Sequence, residues 1–224
     1  MPGNISIPFI KKWNSEPPRE ALKVEINCHN WSKDYPSDSE AFCHMWHSGD
    51  LLYLDFSVKE EFVRAEIGED NGKVSKDSCV EFFISFDKEG YYNIEANSIG
   101  KVLMSHRKSR KENVIYAPGA VLDSIKRVAS LGSEPFECRK SDGIWRLSLQ
   151  IPLKAFFVHD FESFKGLKAR ANFYKCGDLL PHPHFLSWQP IDTETPDFHR
   201  PEYFGDIEFQ SSPIWNDQSS AVFL

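Results

Sequence analysis

The sequence has no long apolar run, no excess of positive charge and no regular spacing of cysteines. No stretch of its 224 residues approaches the roughly 20 consecutive apolar residues that a membrane helix needs. Acidic residues outnumber basic residues by 33 to 26, and the net charge is −7. Because binding to phosphate groups depends on clustered positive charge, we expect neither nucleic acid nor a membrane as a partner. The short basic run at residues 106–111 (HRKSRK) is interpreted as a solvated loop.

The five cysteines are odd in number and include no C-x-x-C pair. They are Cys28, Cys43, Cys79, Cys138 and Cys176. The pattern therefore indicates neither a complete disulfide framework nor a zinc ribbon. Two histidine pairs, in residues 44–47 (HMWH) and 182–184 (HPH), have spacings that zinc ligands use. Neither pair has a further ligand at a fixed offset, so the metal ligands stay unassigned.

The beginning of the chain, MPGNISIPFIKKW, lacks the features of a secretory signal. Such a signal has a basic segment followed by roughly 7–15 apolar residues. We therefore expect a cytoplasmic protein, unless a leader has been removed from the sequence.

Aromatic residues, proline and glycine are abundant. Aromatic residues make up 14% of the chain (18 Phe, 7 Tyr and 6 Trp), with 14 Pro and 12 Gly. Aromatic side chains suit pleated sheets, and proline and glycine suit frequent turns. Apolar residues at 41% and charged residues at 26% are ordinary values for a folded domain. The composition indicates a β-rich globular protein.

Alternation of apolar and polar residues identifies the strands. It extends over residues 51–58, 79–87, 91–99, 144–151 and 167–176, with a shorter candidate at 22–26. Turn-rich segments such as 70–73 (DNGK), 87–90 (DKEG) and 141–143 (SDG) separate the runs. One apolar and one polar face on each strand predict antiparallel sheets in two layers. We predict an all-β fold, a two-sheet antiparallel β-sandwich, as a single domain over residues 1–224.

The polar faces of four predicted strands carry side chains that form hydrogen bonds in fixed directions. They are Glu81, then Asn93, Glu95 and Asn97, then Arg146, Ser148 and Gln150, then Arg170, Asn172 and Tyr174. If these strands are neighbours, the sheet presents a floor of donors and acceptors with aromatic rings nearby. Such a floor suits a neutral ligand with many hydroxyl groups. The alternative is an ordinary polar outer face.

Several short segments, in this order, resemble carbohydrate-binding module family 9 and its free-standing relatives, which share a DOMON-like, jelly-roll-type β-sandwich. The segments are 77–84 (DSCVEFFI), 91–100 (YYNIEANSIG), 170–174 (RANFY), 187–188 (SW), 198–205 (FHRPEYFG) and 207–209 (IEF). The resemblance covers about residues 20–210. It implies the same fold and an oligo- or polysaccharide ligand.

The resemblance also implies roles for individual residues. Family members hold a sugar between two aromatic rings, while a glutamate, an arginine and amides bind its hydroxyl groups. Glu81 matches the glutamate, Asn172 matches a ligand-binding asparagine, and Phe198 stands where the second ring would be.

Three positions depart from the family pattern. Ser75 replaces the first ring, Asn93 stands at the arginine position and Glu95 at an amide position. The aromatic clamp is therefore incomplete, and Trp46, Tyr91 or Trp188 could supply a ring from elsewhere.

We predict non-catalytic carbohydrate binding, accessory to the degradation of xylan- or glucan-type polysaccharides and in association with glycoside hydrolases. The predicted ligand-binding residues are Glu81, Asn93, Glu95, Asn97, Asn172, Tyr174, Trp188 and Phe198. No cofactor is required, although the resemblance allows a structural calcium ion without named ligands.

Two other classes stay open, and a third has little support. Glu81 and Glu95 could be the two carboxyl groups of a glycoside hydrolase, and the domain could instead be a structural interaction domain. A haem carrier would need an axial Met–His pair, and only three methionines are present.

Overall fold

The computed structural model describes residues 5–11 and 16–213, which form fifteen strands and one short helix, α1 (Gly119–Ser124). The strands are β1 (Ile5–Phe9), β2 (Leu22–Glu25), β3 (Glu40–His47), β4 (Leu51–Lys59), β5 (Phe62–Ala65), β6 (Cys79–Ser85), β7 (Tyr91–Asn97), β8 (Val102–Arg107), β9 (Ile115–Tyr116), β10 (Lys126–Ala129), β11 (Phe136–Lys140), β12 (Ile144–Pro152), β13 (Lys168–Cys176), β14 (Phe185–Ser187) and β15 (Gly205–Pro213). Among these residues, no helix has the length and apolar character needed to cross a membrane.

Thirteen of the strands form one sheet that folds into two layers. The first layer has the order β10-β12-β4-β3, with β2 paired to β3. The second layer has the order β15-β13-β6-β7-β8-β9, with β14 paired to β13. Strand β1 lies between β3 and β15 and joins the layers, while β5 and β11 form a separate two-stranded ribbon.

The pairing is antiparallel except at β1, which runs parallel to both β3 and β15. The register of β1 shifts between Ile7 and Phe9, at Pro8. Proline has no backbone N–H to donate to a ladder, so it is tolerated where pairing is interrupted. The predicted β-sandwich is confirmed, and the parallel strand that joins its layers is an addition to the predicted antiparallel pattern.

The main core lies between the layers and consists of the apolar residues of the alternating strands. Phe56 of β4 and Phe173 of β13 meet across it, with ring centroids 6.4 Å apart. Leu54, Val80 and Leu147 belong to the same buried cluster and are almost fully excluded from solvent. Burial of this kind contributes about 1.5–3 kcal/mol for each large side chain and holds the layers together.

The five long predicted strands correspond to β4, β6, β7, β12 and β13, with ends that differ by at most two residues. The short candidate at 22–26 is β2, and a further strand, β15, begins at Gly205. Strand β8 is buried on both faces along its whole length, and β3 is buried on both faces from Met45 to His47, so alternation is absent from these stretches. The polar faces of β6, β7 and β13 are largely buried as well, because loops cover them. Strand β12, whose polar residues were expected on the same face, lies in the first layer instead.

Candidate functional site

The outer face of the second layer is covered by loops, which create a second, smaller core there. The cluster comprises Trp31, Val74, Cys79, Phe83, Tyr91, Leu103, Tyr174, Cys176, Ile191, Phe198 and Phe204. It combines strand residues of β6, β7, β8 and β13 with residues of the loops around positions 31, 74 and 191–204. The polar residues of this face are consequently buried: Glu81 is 3% exposed and Glu95 is 8% exposed.

A half-open pocket of about 90 Å³ lies within this covered face. We call it the Glu81 pocket. Its lining residues are Ser75, Glu81, Glu95, Arg110, Cys176, Asp178, Phe185, Pro196, Asp197, Phe198 and His199. Three of them, Glu81, Glu95 and Phe198, belong to the predicted ligand-binding set, and Ser75 is the position where the resemblance places the missing ring.

The two glutamates of the pocket are direct cross-strand partners on β6 and β7. The Cys176 thiol donates to Glu81 Oε1 over 3.2 Å, and the Asn93 amide donates to Glu95 Oε1 over 2.8 Å. Burial raises the pKa of Glu81 well above its ordinary value, and Cys176 and Glu95 raise it further. Burial also raises the pKa of Glu95 to about 7, against the opposing effects of Asn93 and Arg107. The pair therefore retains protons near neutral pH.

Two aspartates complete the acidic lining. Asp178 accepts a hydrogen bond from the Ser75 hydroxyl over 3.1 Å, and burial raises the pKa of its carboxyl group. Asp197 pairs with the exposed guanidinium of Arg110 at 3.1 Å. Arg110 is the only cation among the residues that line the pocket. The site therefore offers many oxygen acceptors and disfavours anionic ligands.

Phe198 forms an aromatic wall of the pocket, and Tyr174 holds it in place. Their rings stack with centroids 4.2 Å apart and planes 10° apart, and the Tyr174 hydroxyl donates to the Phe198 carbonyl over 3.1 Å. Trp31 and Phe185 lie against the same ring, each with its centroid 6.1 Å away. Only 9% of Phe198 is exposed, so one face of the ring is unavailable to a ligand.

His199 is held neutral beside this wall. Its Nδ1 lies 2.9 Å from the Tyr91 hydroxyl. Burial lowers its pKa to about 3, and Arg107 and Arg110 contribute to the shift. A neutral imidazole has one donor and one acceptor nitrogen. His199 therefore offers the pocket a hydrogen-bonding group without a charge.

Two further predicted residues, Asn93 and Tyr174, form hydrogen bonds to residues that line the pocket. Asn93 connects Glu95 to Ser105, whose hydroxyl donates to the Asn93 carbonyl oxygen and accepts from Arg107. Tyr174 positions Phe198, as described above. Neither residue lines the pocket itself.

The other three predicted residues lie outside the pocket and are used elsewhere. Asn97 donates to Asp77 and to the Ile67 carbonyl, each at 2.9 Å. Asn172 accepts from the Gln189 N–H and donates to the Gln189 carbonyl, which fastens the loop after β14. Trp188 packs against the main core, with its ring centroid 5.9 Å from that of Phe173.

Eight of the residues that line the pocket were not in the predicted set: Ser75, Arg110, Cys176, Asp178, Phe185, Pro196, Asp197 and His199. Arg110 comes from the basic run that was interpreted as a solvated loop, and Arg107 of the same run is a buried residue of β8. His199 lies within segment 198–205, which carried the family resemblance, and Asp197 directly precedes that segment. Their position beside Phe198 was the one feature of the sequence that could have identified them.

One group of side chains in the described part of the chain could hold a metal ion: Cys79, Glu81 and Cys176. Calcium prefers six to eight oxygen ligands, so the two thiols do not suit it. Asp70 and Asp77 of the nearby loops would be suitable oxygen ligands for calcium, but both already form ion pairs. Asp70 pairs with Arg127 at 2.7 Å and Asp77 with Arg64 at 3.1 Å.

The fold and the pocket together define a β-sandwich with a polar, half-open binding site on one loop-covered face. A sequence profile described as carbohydrate-binding family 9 matches residues 18–209. The chain belongs to this family, and both the predicted family and carbohydrate binding as its class of function are confirmed.

Solved structures agree with this assignment. A candidate carbohydrate-binding protein from Bacteroides uniformis ATCC 8492 is 37% identical, with a TM-score of 0.86 over 94% of this chain and 100% of that chain. A family 9 module from Caldicellulosiruptor kristjanssonii, determined with glucose, is 13% identical, with a TM-score of 0.61 over 96% of this chain and 100% of that chain. A structure described as a family 9 module from the same organism, determined with cellotriose, is 12% identical, with a TM-score of 0.57 over 99% of this chain and 100% of that chain. The last two share the fold. No curated protein matches the chain.

Proposed function

We propose that the Glu81 pocket binds the end of a neutral oligo- or polysaccharide without catalysing its cleavage. The observation that carries the proposal is the convergence of Glu81, Glu95 and Phe198 on one half-open pocket. An aromatic wall suits the apolar C–H face of a pyranose, and carboxyl groups suit its hydroxyl rim.

The size of the pocket favours a chain end. A cavity of roughly 150 Å³ is known to enclose a benzene molecule, and the pocket measures about 90 Å³. A pyranose ring is larger than benzene, so only its edge enters and the remainder lies over the rim. Internal residues of a polysaccharide have neighbours on both sides and fit such a depression less well.

The charge of the pocket favours a neutral sugar. Four carboxyl groups and one guanidinium line it, and the raised pKa values of Glu81 and Glu95 let protonated carboxyl groups donate as well as accept. Glucose-type sugars should therefore bind better than their uronic acids, which would bring a further negative charge. The modules determined with glucose and cellotriose support a glucan-type ligand, and a role beside polysaccharide hydrolases follows from that ligand class.

Calorimetric titration against mono- and oligosaccharides tests the proposal. We expect weak binding, because a small contact area repays little of the cost of desolvating hydroxyl groups. Phe198→Ala should weaken binding by about 1–3 kcal/mol, and Tyr116→Ala, which removes an exposed ring on β9, should leave it unchanged. Circular dichroism of both variants separates lost binding from lost folding. No heat with any sugar at millimolar concentration would refute the proposal for that panel.

Blocking the chain end provides a second control. If the pocket takes a reducing end, an oligosaccharide reduced to its alditol should lose affinity. If the pocket takes a non-reducing end, a substituent on that end of the oligosaccharide should lower its affinity. Equal affinity of both blocked sugars and the free one would contradict chain-end binding.

Structural calcium remains a proposal without named ligands. We propose that it would bind away from the pocket, because thiols are poor calcium ligands. The measurement is the melting temperature after chelation, followed by separate additions of calcium and zinc. Recovery with calcium alone would establish calcium as a structural ion.

A hydrolase is the second candidate, because two carboxyl groups with raised pKa values are partners across β6 and β7. Its test is the release of reducing sugar from xylan and glucan. Activity that Glu81→Gln abolishes would replace the binding proposal with a catalytic one. Absence of activity in a preparation that binds sugar by calorimetry would reject it.

A further inference from the structure

Metal-binding donors from two neighbouring strands meet at the floor of the Glu81 pocket. Cys79 of β6 and Cys176 of β13 are direct cross-strand partners, and Glu81 follows on the same face of β6. One donor atom from each of the three residues lies within 4.8 Å of the other two. All three side chains are buried, so the backbone of two paired strands fixes their positions.

The donor set selects a soft divalent metal. Two thiolates and one carboxylate are ligands of structural and catalytic zinc, whereas calcium and magnesium require oxygen ligands. With Zn–S bonds of about 2.3 Å, a tetrahedral ion holds its ligand atoms roughly 3.5–3.8 Å apart. The Cys176 Sγ and Glu81 Oε1 are already 3.2 Å apart, so small side-chain rotations suffice to admit the ion.

The surroundings supply a reason for a cation and a place for its fourth ligand. Glu95 is the direct cross-strand partner of Glu81, and Asp178 lines the same pocket. A divalent ion would offset this accumulation of acidic groups. Cys176, Glu81 and Asp178 all line the pocket, so the fourth position faces solvent, a ligand hydroxyl or the Asp178 carboxyl group.

We propose that Cys79, Cys176 and Glu81 bind one Zn²⁺ ion, with the fourth coordination position open to the pocket. Binding releases two thiol protons and the Glu81 proton to solvent, and three ligand charges then face the two charges of the ion. Affinity should therefore rise steeply with pH. The proposal does not rest on sugar binding, although Glu81 takes part in both.

Cobalt substitution is the direct test. The full chain is reduced, freed of metal with a chelator, exchanged into buffer without oxygen and titrated with Co²⁺. We expect thiolate-to-cobalt charge-transfer absorption and the intense visible bands of tetrahedral cobalt, saturating at one ion per chain and bleaching when Zn²⁺ is added. Octahedral, weakly absorbing cobalt would overturn the proposal. The wild-type spectrum answers the question even if every variant fails to fold.

Variants then assign the ligands. Cys79→Ser, Cys176→Ser and Glu81→Gln should each weaken Zn²⁺ affinity, measured by competition with a chromophoric chelator. The loss should be at least the roughly 10–100-fold that removal of an outer-shell partner costs. Cys43→Ser, which changes a buried thiol of the main core, and Cys138→Ser, which changes a half-exposed thiol, should have no effect. Unchanged affinity in any of the three ligand variants would overturn the site as proposed.

Metal and sugar are measured separately, so that the two proposals can fail independently. Zinc affinity is determined without sugar, and sugar titrations are run on the metal-free and zinc-loaded protein. Zinc binding without any sugar binding supports the metal site alone. Sugar binding by a protein that shows no tetrahedral cobalt spectrum overturns the metal site alone.

Discussion

At the scale of single residues, the main feature of the pocket is a pair of carboxyl groups whose raised pKa values keep them protonated near neutral pH. Glu95 has an ordinary pKa of 4.5 when unfolded, and burial raises it to about 7 in the folded chain. Between these values the folded protein binds more protons than the unfolded chain does. The stabilising contribution of Glu95 is therefore complete below pH 4.5 and is lost as the pH rises through 7.

This linkage predicts the pH dependence of stability. The difference between the two pKa values corresponds to at most about 3 kcal/mol, and Glu81 acts in the same direction. Glu95→Gln keeps the acceptor for Asn93 but removes the titration, so it should reduce the fall in unfolding free energy between pH 5 and 8. Urea denaturation at both pH values measures the effect. The control is Glu137→Gln, which replaces an exposed carboxyl group on β11. Equal pH slopes in wild type and Glu95→Gln would contradict the prediction.

The missing ring at position 75 leads to a prediction of gained affinity. Ser75 is half-buried and lines the same pocket as Phe198. Ser75→Trp should add a second aromatic surface and strengthen sugar binding by about 0.5–1.5 kcal/mol. Ser75→Ala removes the same hydrogen bond to Asp178 without adding a ring, so it is the matched control. If calorimetry finds that the tryptophan and alanine variants bind sugar equally, position 75 does not face the ligand.

At the scale of elements, strands whose residues alternate between apolar and polar types were predictable, and strands without that alternation were not. The period of two in β4, β6, β7, β12 and β13 follows from the main core on their inner side. The polar residues on the outer side of β6 and β7 indicated solvent or ligand, yet loops from distant parts of the chain bury them. Asn97 and Asn172 are two examples. Their hydrogen bonds to Asp77 and Gln189 depend on loop positions that the alternation of apolar and polar residues does not predict.

A buried ion pair joins the two layers and provides an element-scale prediction. Lys175 of β13 is fully buried, and its Nζ lies 2.9 Å from Glu60, which follows β4. Trp145 of β12 donates to the same carboxyl group over 2.6 Å. Burial alone would raise the pKa of Glu60, but the charge of Lys175 and the bonds from His184 hold it at about 2.

Lys175→Met should therefore destabilise the protein by about 3–5 kcal/mol, because it leaves Glu60 buried without a cation. The double variant with Glu60→Gln should recover much of the loss. The surface pair Lys59–Glu40, 3.0 Å apart, is the matched control, and Lys59→Met should cost no more than about 1 kcal/mol. Urea denaturation of the four proteins measures this. Equal costs at positions 175 and 59 would show that the buried pair does not connect the layers energetically.

At the scale of the whole molecule, the site is assembled from segments far apart in the sequence. Strands β6, β7 and β13 supply the floor, the segment at 110 supplies a cation, and residues 185–199 supply the walls. The sequence identified the floor and one wall because the strand pattern and the family resemblance fall there. It did not identify the remaining residues, because their approach depends on how the loops fold over the outer face.

Strand β1 is the one strand that pairs with both layers. Ile7 lies opposite Phe209 of β15, while Phe9 lies opposite His47 of β3. Ile7 is fully buried in the main core. Without β1 the two layers would expose two unpaired strand edges, at β3 and β15, and the isolated bridge between Cys28 and Ser187 would remain as a backbone contact between them. We therefore expect the residues of β1 to contribute to the cooperative unfolding of the entire fold.

We expect the full chain to unfold in urea as one unit, with tryptophan fluorescence and far-ultraviolet circular dichroism following the same curve. A shortened chain without residues 1–10 should unfold at lower urea, with a reduced slope and with the two signals separated. Ile7→Ala keeps the strand but leaves a cavity, so it should lower the midpoint by the equivalent of about 2–5 kcal/mol while the signals still coincide. Coincident curves with an unchanged slope in the shortened chain would mean that the core between the layers, and not β1, makes unfolding cooperative.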